Sequence, residues 1–89
     1  MKTLHFSTQF KKDFKRYRNN PVKLSKLNDV FRMLENEQKL PKSLFPHKLH
    51  GKYKDCIECH IEDYFLLIWT DGNVIEIVRL GTHQELFGR

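Results

Sequence analysis

The second half of the chain holds the side chains best suited to proton-transfer chemistry. They are four histidines and one arginine, namely His47, His50, His60, His83 and Arg79. Histidine has an ordinary pKa of about 6.5, so it gives and takes protons near neutral pH. Two histidines on either side of a phosphodiester suit RNA cleavage. One can remove a proton from a ribose 2′-hydroxyl, and the other can protonate the leaving 5′-oxygen. An arginine can stabilise the negative charge on the phosphate. The same residues could also hold a phosphate without cleaving it.

His60 ends the run Cys-Ile-Glu-Cys-His, which has the spacing of a c-type haem attachment motif. Side chains alternate across a β-strand, so Cys56 and Cys59, three positions apart, point to opposite sides and do not converge on one haem or one zinc ion. A tetrahedral zinc site would also need a second pair of ligands, and the sequence has no other cysteine. We therefore expect no cofactor and no metal, with Cys59 as a small core residue.

The chain is basic and carries no obvious targeting segment. Sixteen Lys and Arg residues against eleven Asp and Glu give a formal net charge of +5, and basic residues are concentrated between Lys11 and Arg18. Such a run is either solvated surface or a site for an anionic partner, such as nucleic acid or an acidic protein. No apolar stretch has the length of a signal peptide or a membrane span. We expect a cytoplasmic protein with a single domain, residues 1–89.

The first half of the sequence predicts a strand and two helices. Residues 4–6 have the character of a short strand, and Ser7 suits the N-cap of a helix. Pro21 suits the first position of a second helix, which runs to about residue 37. Each helix has an apolar stripe at helical spacing. In the first helix the stripe consists of Phe10, Phe14 and Tyr17, and in the second it consists of Leu24, Leu27, Phe31 and Leu34.

The last third predicts three antiparallel strands, at residues 54–61, 64–70 and 74–80. Asp71-Gly72 is a strong hairpin signal between the second and third of them. Residues 39–52 contain two prolines and have no sustained period, so they are predicted to be a loop. The resulting fold class is α+β: a short N-terminal strand, two helices and a three-stranded meander, with the helices packed on one face of a twisted sheet.

Alternation along the first meander strand divides it into an apolar face and a polar face. The polar, open face is predicted to carry Lys54, Cys56, Glu58, His60 and Glu62, and the apolar face Ile57, Cys59 and Ile61. Trp69 is expected in the core. Arg79 has the parity of the apolar residues Ile75 and Ile77, so either a β-bulge redirects the chain before Arg79 or this assignment of faces is wrong.

Two segments resemble a known family. They are residues 47–69, HKLHGKYKDCIECHIEDYFLLIW, and residues 79–88, RLGTHQELFG. They are similar to the YafQ-like branch of the RelE/ParE superfamily of bacterial toxins, whose members carry His-x-Leu-x-Gly-x-Trp-Lys, a strand ending in His-(Ile/Val)-Glu, and a closing Arg-x-Gly-(Ser/Thr)-His-x-x-Leu-Phe. The opening strand and the basic helices also fit, so the resemblance covers nearly the whole chain.

This resemblance implies a ribosome-dependent, metal-independent messenger-RNA endonuclease of a type II toxin-antitoxin system. By position, His47, His60 and His83 would form the acid/base group and Arg79 would bind and stabilise the scissile phosphate. Phe87 would order the site or a base near it, although it could equally be a packing residue.

The same comparison shows two departures from the family pattern. The family's tryptophan after the glycine is Tyr53 here. The family's Glu-Pro-Asp-Trp is Glu-Asp-Tyr-Phe here, so the functional aspartate aligns with Tyr64, and Asp63 would replace it only if the turn shifts by one residue. By charge alone, Lys52 and Lys54 suit phosphate contacts, with solvated surface as the equal alternative.

Two other functions stay open at this point. One is a non-catalytic toxin of the ParE type that binds a topoisomerase, although such a toxin is not expected to keep the histidines. The other is a basic nucleic-acid-binding module. For the toxin, the implied partners are the ribosome with its messenger RNA, an antitoxin whose acidic segment lies over the basic helices or the open sheet face, and operator DNA bound mainly through the antitoxin.

Overall fold

The computed structural model describes residues 1–88 as three helices and a five-stranded sheet. In chain order the elements are β1 (Thr3–Phe6), α1 (Thr8–Lys15), α2 (Pro21–Glu35), β2 (His47–Lys48), β3 (Ile57–Glu62), β4 (Phe65–Thr70), β5 (Val74–Gly81) and α3 (His83–Phe87). Two single 3₁₀ turns, Lys42–Leu44 and Gly51–Tyr53, flank β2. Between residues 1 and 88, none of the helices is long and apolar enough to cross a membrane.

The strand order is β1-β5-β4-β3-β2. The predicted meander β3-β4-β5 is confirmed, and β4, its central strand, is buried along almost its whole length. β1 pairs with β5 in parallel, because α1 and α2 carry the chain across one face of the sheet before the meander begins. The predicted loop contains a strand that the sequence did not indicate, β2, which pairs with β3 over two residues.

The helix starts follow the local signals in the sequence. The Ser7 hydroxyl accepts a hydrogen bond from the backbone N–H of Phe10 at 2.9 Å, which confirms it as the N-cap of α1. Pro21 occupies the first turn of α2, as expected, and the Asn20 side chain accepts from the N–H of Lys23 at 3.2 Å. α2 ends at Glu35, two residues earlier than predicted, because Glu37 has a φ of 56° and leaves the helix.

The sheet is covered on both faces, which corrects the expectation of one open, charged face. The face toward α1 and α2 forms the larger core, with Phe10, Leu27, Val30, Cys59, Phe65, Leu67, Trp69, Ile75, Ile77 and Leu80 among its buried members. The opposite face carries a smaller core of Tyr53, Cys56, Leu66, Ile68 and Leu86. Leu86 belongs to α3, a short helix that the sequence interpretation missed and that packs on the face predicted to be open.

A bulge at the end of β3 changes the face on which Glu62 lies. The pairing of β3 with β4 shifts between His60 and Glu62, so that Glu62 lies opposite Phe65. Glu62 was expected beside His60, but its carboxylate instead accepts hydrogen bonds from Lys23 and from Lys26 on α2, the latter at 2.8 Å. These hydrogen bonds lower the pKa of Glu62 below its ordinary value.

A second bulge places Arg79. Ile68 of β4 lies opposite Arg79, but the next residue, Trp69, lies opposite Ile77, so Val78 is the extra residue of β5. Arg79 therefore shares a face with Ile68 in the smaller core, away from Ile75 and Ile77. The predicted alternative of a bulge before Arg79 is confirmed, and Trp69 is a buried core residue, as expected.

Candidate active site

Two histidines share one carboxylate at the edge of the sheet. β2 brings His47 directly opposite Glu58 of β3, and His60 lies two residues further along the same strand. The Nε2 atom of His47 is 3.2 Å from Glu58 Oε1, and the Nε2 atom of His60 is 3.9 Å from the same oxygen. The two imidazole rings have centroids 6.3 Å apart. This arrangement lets one carboxylate stabilise a proton on either ring.

Glu58 is buried, with only 4% of its surface exposed. Its second oxygen, Oε2, is also buried and has no hydrogen-bond partner among residues 1–88. Because an unpaired buried carboxylate is costly, Glu58 is stabilised when a neighbouring imidazole is protonated. On its other side, the Nδ1 atom of His47 lies 2.7 Å from the carbonyl oxygen of Phe45, which can only accept a hydrogen bond. The Nδ1 atom of His47 therefore donates the proton of this hydrogen bond, which leaves Nε2 facing Glu58.

Arg79 is held by a buried aspartate and a tyrosine. Its Nε donates to Asp13 Oδ2 at 2.7 Å and one Nη donates to Asp13 Oδ1 at 3.2 Å, while the other Nη donates to the Tyr53 hydroxyl at 2.9 Å. Asp13, on α1, is fully buried and also accepts from the backbone N–H of Leu80 at 3.0 Å. These contacts fix the guanidinium at the junction of α1 and β5.

The ionisation of this pair follows from its contacts. Burial raises the pKa of the Asp13 carboxyl, but the hydrogen bonds from Arg79 and the Leu80 N–H outweigh it, and the net pKa is below the ordinary value. Hydrogen bonding to Asp13 raises the pKa of Arg79. Both residues are therefore charged at neutral pH.

His83 and Phe87 are placed by α3. His83 is the first residue of this helix and is exposed, with its ring centroid 4.6 Å from that of Phe87. Phe87 in turn meets the Tyr53 ring nearly at right angles, with centroids 5.7 Å apart. The helix is secured by a capping box between Thr82 and Glu85.

The histidine pair and Arg79 lie on the same face of the sheet. Along one row of the sheet Glu58 lies opposite Ile68, which lies opposite Arg79. Neighbouring strands are about 4.8 Å apart, so β3 and β5 are separated by roughly 10 Å across β4. In the next row the order is His60, Leu66 and Gly81, two residues before His83. We define the candidate site as His47, Glu58, His60, Arg79 and His83.

The remaining predicted residues lie at the margins. Asp63 and Tyr64 form the exposed turn between β3 and β4, and no side-chain hydrogen bond or ion pair in residues 1–88 involves Asp63. Lys52 and Lys54 are exposed, and Lys52 Nζ lies 5.5 Å from the centroid of the Tyr53 ring. The carboxylate that meets the histidines is Glu58, a residue to which sequence reasoning had assigned no role.

The two cysteines lie on opposite faces, as the strand alternation predicted. Cys59 is in the larger core and Cys56 in the smaller one, and both are free thiols. Burial raises the pKa of the Cys59 thiol to about 12. Within residues 1–88 no group of three or more His, Cys, Asp or Glu residues is arranged to hold a metal ion.

Asp13 and Tyr53 were not identified as site residues from the sequence. Asp13 carries no local signal, because it meets Arg79 across 66 positions of sequence. A signal for α3 did exist: Thr82 and Glu85 have the spacing of a capping box.

Comparison with known proteins decides the family. Residues 2–88 match the family model described as bacterial toxin of type II toxin-antitoxin system, YafQ. The chain belongs to the YafQ toxin family. It is 31% identical over 87 residues to the mRNA interferase toxin YafQ of Escherichia coli K12, with 96% of this chain and 95% of that protein covered. The resemblance noted in the sequence is thereby confirmed.

Solved structures of E. coli YafQ and of a Helicobacter pylori toxin have the same fold. YafQ from Escherichia coli BL21(DE3) superimposes with a TM-score of 0.90 at 28% identity, covering 99% of this chain and 100% of that one. YafQ in the E. coli DinJ-YafQ toxin-antitoxin complex gives a TM-score of 0.87 at 29% identity, with 98% of both chains covered. A metal-bound toxin from Helicobacter pylori gives 0.88 at 38% identity, covering 98% and 100%.

Proposed function

We propose that this toxin is a ribosome-dependent endoribonuclease that cleaves translated messenger RNA by metal-independent acid/base chemistry. The observation that carries the proposal is the pair His47 and His60 around the buried carboxylate of Glu58, on the same sheet face as Arg79. The name of the E. coli K12 relative, mRNA interferase toxin YafQ, supports the same reaction class.

The proposed reaction joins the ribose 2′-oxygen to phosphorus and breaks the bond between phosphorus and the 5′-oxygen. It yields a 2′,3′-cyclic phosphate and a 5′-hydroxyl end. Proton removal and proton donation are divided among His47, His60 and His83, and each role contributes about a hundred- to ten-thousand-fold. Glu58 stabilises whichever of the first two histidines carries the proton, because its Oε1 lies near both rings.

Arg79 is suited to the phosphate even though it is largely buried. A guanidinium has five N–H donors, and Asp13 and Tyr53 take three of them. One donor therefore remains on each Nη, which is the arrangement needed for a bidentate contact with two phosphate oxygens. The side chain is 13% exposed, so its charge acts in a poorly solvated place where electrostatic stabilisation is strong.

The marginal residues have supporting roles in this proposal. Phe87 orders His83 by ring contact. Lys52 and Lys54 contact backbone phosphates, for which their exposure is suitable. Asp63 stands in the exposed turn, where it can meet RNA, but the carboxylate function next to the histidines belongs to Glu58.

The proposed partners follow from charge and from the relatives. A chain of net charge +5 suits ribosomal and messenger RNA, and action on translating ribosomes places it in the cytoplasm. By analogy with the E. coli DinJ-YafQ complex, an antitoxin with an acidic toxin-binding segment inhibits the toxin, covering the basic helices or the candidate site. Operator DNA is bound mainly through that antitoxin.

The test is primer extension in cells that express the toxin from an inducible promoter. Wild-type protein and a His60→Ala, His83→Ala variant are compared on a translated message and on the same message without a start codon. His5→Ala is the matched control, because His5 is an exposed histidine on β1, where it pairs with Glu76. We expect new 5′ ends only in the translated message. They should appear with wild type and with His5→Ala, and they should be absent with the double variant.

Other outcomes point to other functions. Growth arrest by wild type without new RNA ends would overturn the endonuclease proposal and favour the topoisomerase-binding or nucleic-acid-binding alternatives. New ends that persist in the double variant would leave the endonuclease but remove these histidines from the reaction.

A further inference from the structure

Phe45 is an exposed aromatic residue with an unfavourable backbone conformation. It follows the 3₁₀ turn Lys42–Leu44, and 65% of its surface is exposed. Its φ of 50° and ψ of 51° place it in the left-handed region, which is uncommon for residues other than glycine. Here the conformation ends the 3₁₀ turn, and such conformations cost free energy and often occur at functional sites.

The contacts of Phe45 connect it to both histidines of the pair. Its carbonyl oxygen accepts the hydrogen bond from His47 Nδ1 at 2.7 Å. Its ring meets the His60 ring at an interplanar angle of 71°, with centroids 5.8 Å apart. The backbone conformation therefore orients His47 and at the same time brings a largely solvent-exposed aromatic ring to the edge of the candidate site.

The surroundings of this ring suit a nucleotide. Lys42 and Lys48 are exposed basic residues on either side of Phe45 in the chain. Aromatic side chains bind single-stranded RNA by stacking on bases that are splayed out of the strand, while nearby basic residues hold the phosphates. A ring that touches His60 is well placed for a base that flanks the phosphate on which His60 acts.

We propose that Phe45 is a base-stacking residue that holds a nucleobase next to the scissile phosphate. The inference rests on the proposed endoribonuclease function and goes beyond it, because it assigns the bound group and the residue that binds it. Stacking is tolerant of base identity, so Phe45 supplies affinity and alignment of the RNA more than sequence choice. The competing explanation is that Phe45 only shields His60 from solvent.

The test uses single-turnover cleavage of a ribosome-bound synthetic message by Phe45→Leu, Phe45→Tyr and wild type. Leucine keeps apolar cover over His60 but cannot stack, whereas tyrosine can stack. We expect Phe45→Leu to cleave about 5- to 150-fold more slowly, the range for loss of one stacked base, and Phe45→Tyr to stay near wild type. Val74→Ala is the matched control, since Val74 is 51% exposed at the start of β5, and it should cleave at the wild-type rate.

Abasic nucleotides then separate stacking from an effect through the histidines. An abasic nucleotide is placed in turn on each side of the scissile phosphate. With the abasic nucleotide at the position that stacks on Phe45, wild type should cleave as slowly as Phe45→Leu cleaves the intact RNA. The abasic nucleotide should not slow Phe45→Leu any further. Equal additional losses in both proteins at every position would overturn the proposal, as would wild-type cleavage by Phe45→Leu.

A binding measurement distinguishes failure of this inference from failure of the proposed function. A 2′-deoxy substitution blocks cleavage, and 2-aminopurine at the stacking position reports stacking by loss of fluorescence on the ribosome. Wild type and Phe45→Tyr should quench the signal and Phe45→Leu should not. If wild type quenches the signal but does not cleave the unmodified RNA, the endonuclease proposal is rejected and the base site is kept. If Phe45→Leu quenches the signal as strongly as wild type, the base site alone is rejected.

Discussion

Replacing Asp13 by asparagine removes one charge from the interior and almost no volume. Asp13 is fully buried, and it accepts two hydrogen bonds from Arg79 and one from the Leu80 N–H. Removing one partner of a buried ion pair costs about 3–5 kcal/mol, because the other charge is left unpaired. Asparagine keeps one acceptor oxygen, and Arg79 is 13% exposed and still hydrogen-bonded to Tyr53. We therefore expect the free energy of unfolding to fall by about 3 kcal/mol, the low end of this range.

That loss is large for a domain of this size. At about 4–8 °C per kcal/mol, the melting temperature should fall by roughly 12–24 °C. Urea unfolding can be followed by the fluorescence of Trp69, the only tryptophan of the chain, which is 3% exposed. Asp29→Asn is the matched control: it makes the same change in net charge, but Asp29 and Arg32 form an exposed pair at 3.9 Å, worth about 0–1 kcal/mol.

The comparison of the two variants decides the prediction. If Asp13→Asn and Asp29→Asn unfold at the same urea concentration as wild type, the buried pair does not stabilise the fold and the reasoning is wrong. At a temperature where Asp13→Asn is fully folded, we also expect slower RNA cleavage, because the guanidinium of Arg79 loses its charged partner and one of its two hydrogen bonds to residue 13.

Three further predictions concern acid, a glycine and metal. The pKa of Asp13 is lower in the folded state than in the unfolded state, where it is about 3.9. The ionised carboxylate therefore stabilises the fold above that pH, and this contribution is lost as the pH falls through the lower folded-state pKa. Below pH 4, urea titrations should show a larger loss of stability for wild type than for Asp13→Asn. Gly81→Ala should lower the free energy of unfolding by about 1–3 kcal/mol, because φ is 154° and a Cβ would lie 2.6 Å from Glu85 Oε1. Gly72→Ala is the control: the nearest atom to its Cβ would lie at 3.5 Å, so it should unfold at a urea concentration close to that of wild type. Toxin treated with EDTA and desalted should cleave ribosome-bound RNA at the untreated rate, and a loss that zinc or copper restores would contradict metal-independent catalysis.

Much of the fold could be predicted because its signals are local. The cap at Ser7, the proline that begins α2, the Asp71-Gly72 hairpin and the apolar run of β4 each act over a few residues. α3 was missed although Thr82 and Glu85 form a capping box, because a helix of five residues leaves no helical period to detect. β2 has two residues and likewise leaves no alternation to detect.

The candidate site was predicted in part. Residue type and the family resemblance indicated His47, His60, His83 and Arg79, and the structure places all four on or beside one face of the sheet. Glu58 was overlooked because alternation assigned it to an open, charged face. In the structure β2 pairs alongside β3 at Glu58, and the sequence did not indicate that strand.

The sequence by itself determined the chemistry available to this protein: histidines that exchange protons, an arginine for phosphate, a basic surface and strand and helix periods that specify an α+β domain. The tertiary structure alone decided which groups meet. A one-residue bulge at Val78 turns Arg79 away from the larger core, and Asp13 then pairs with it across 66 residues of chain. The physical reason is that periodicity describes a regular strand, whereas a bulge and a buried ion pair are set by the packing of distant elements against each other.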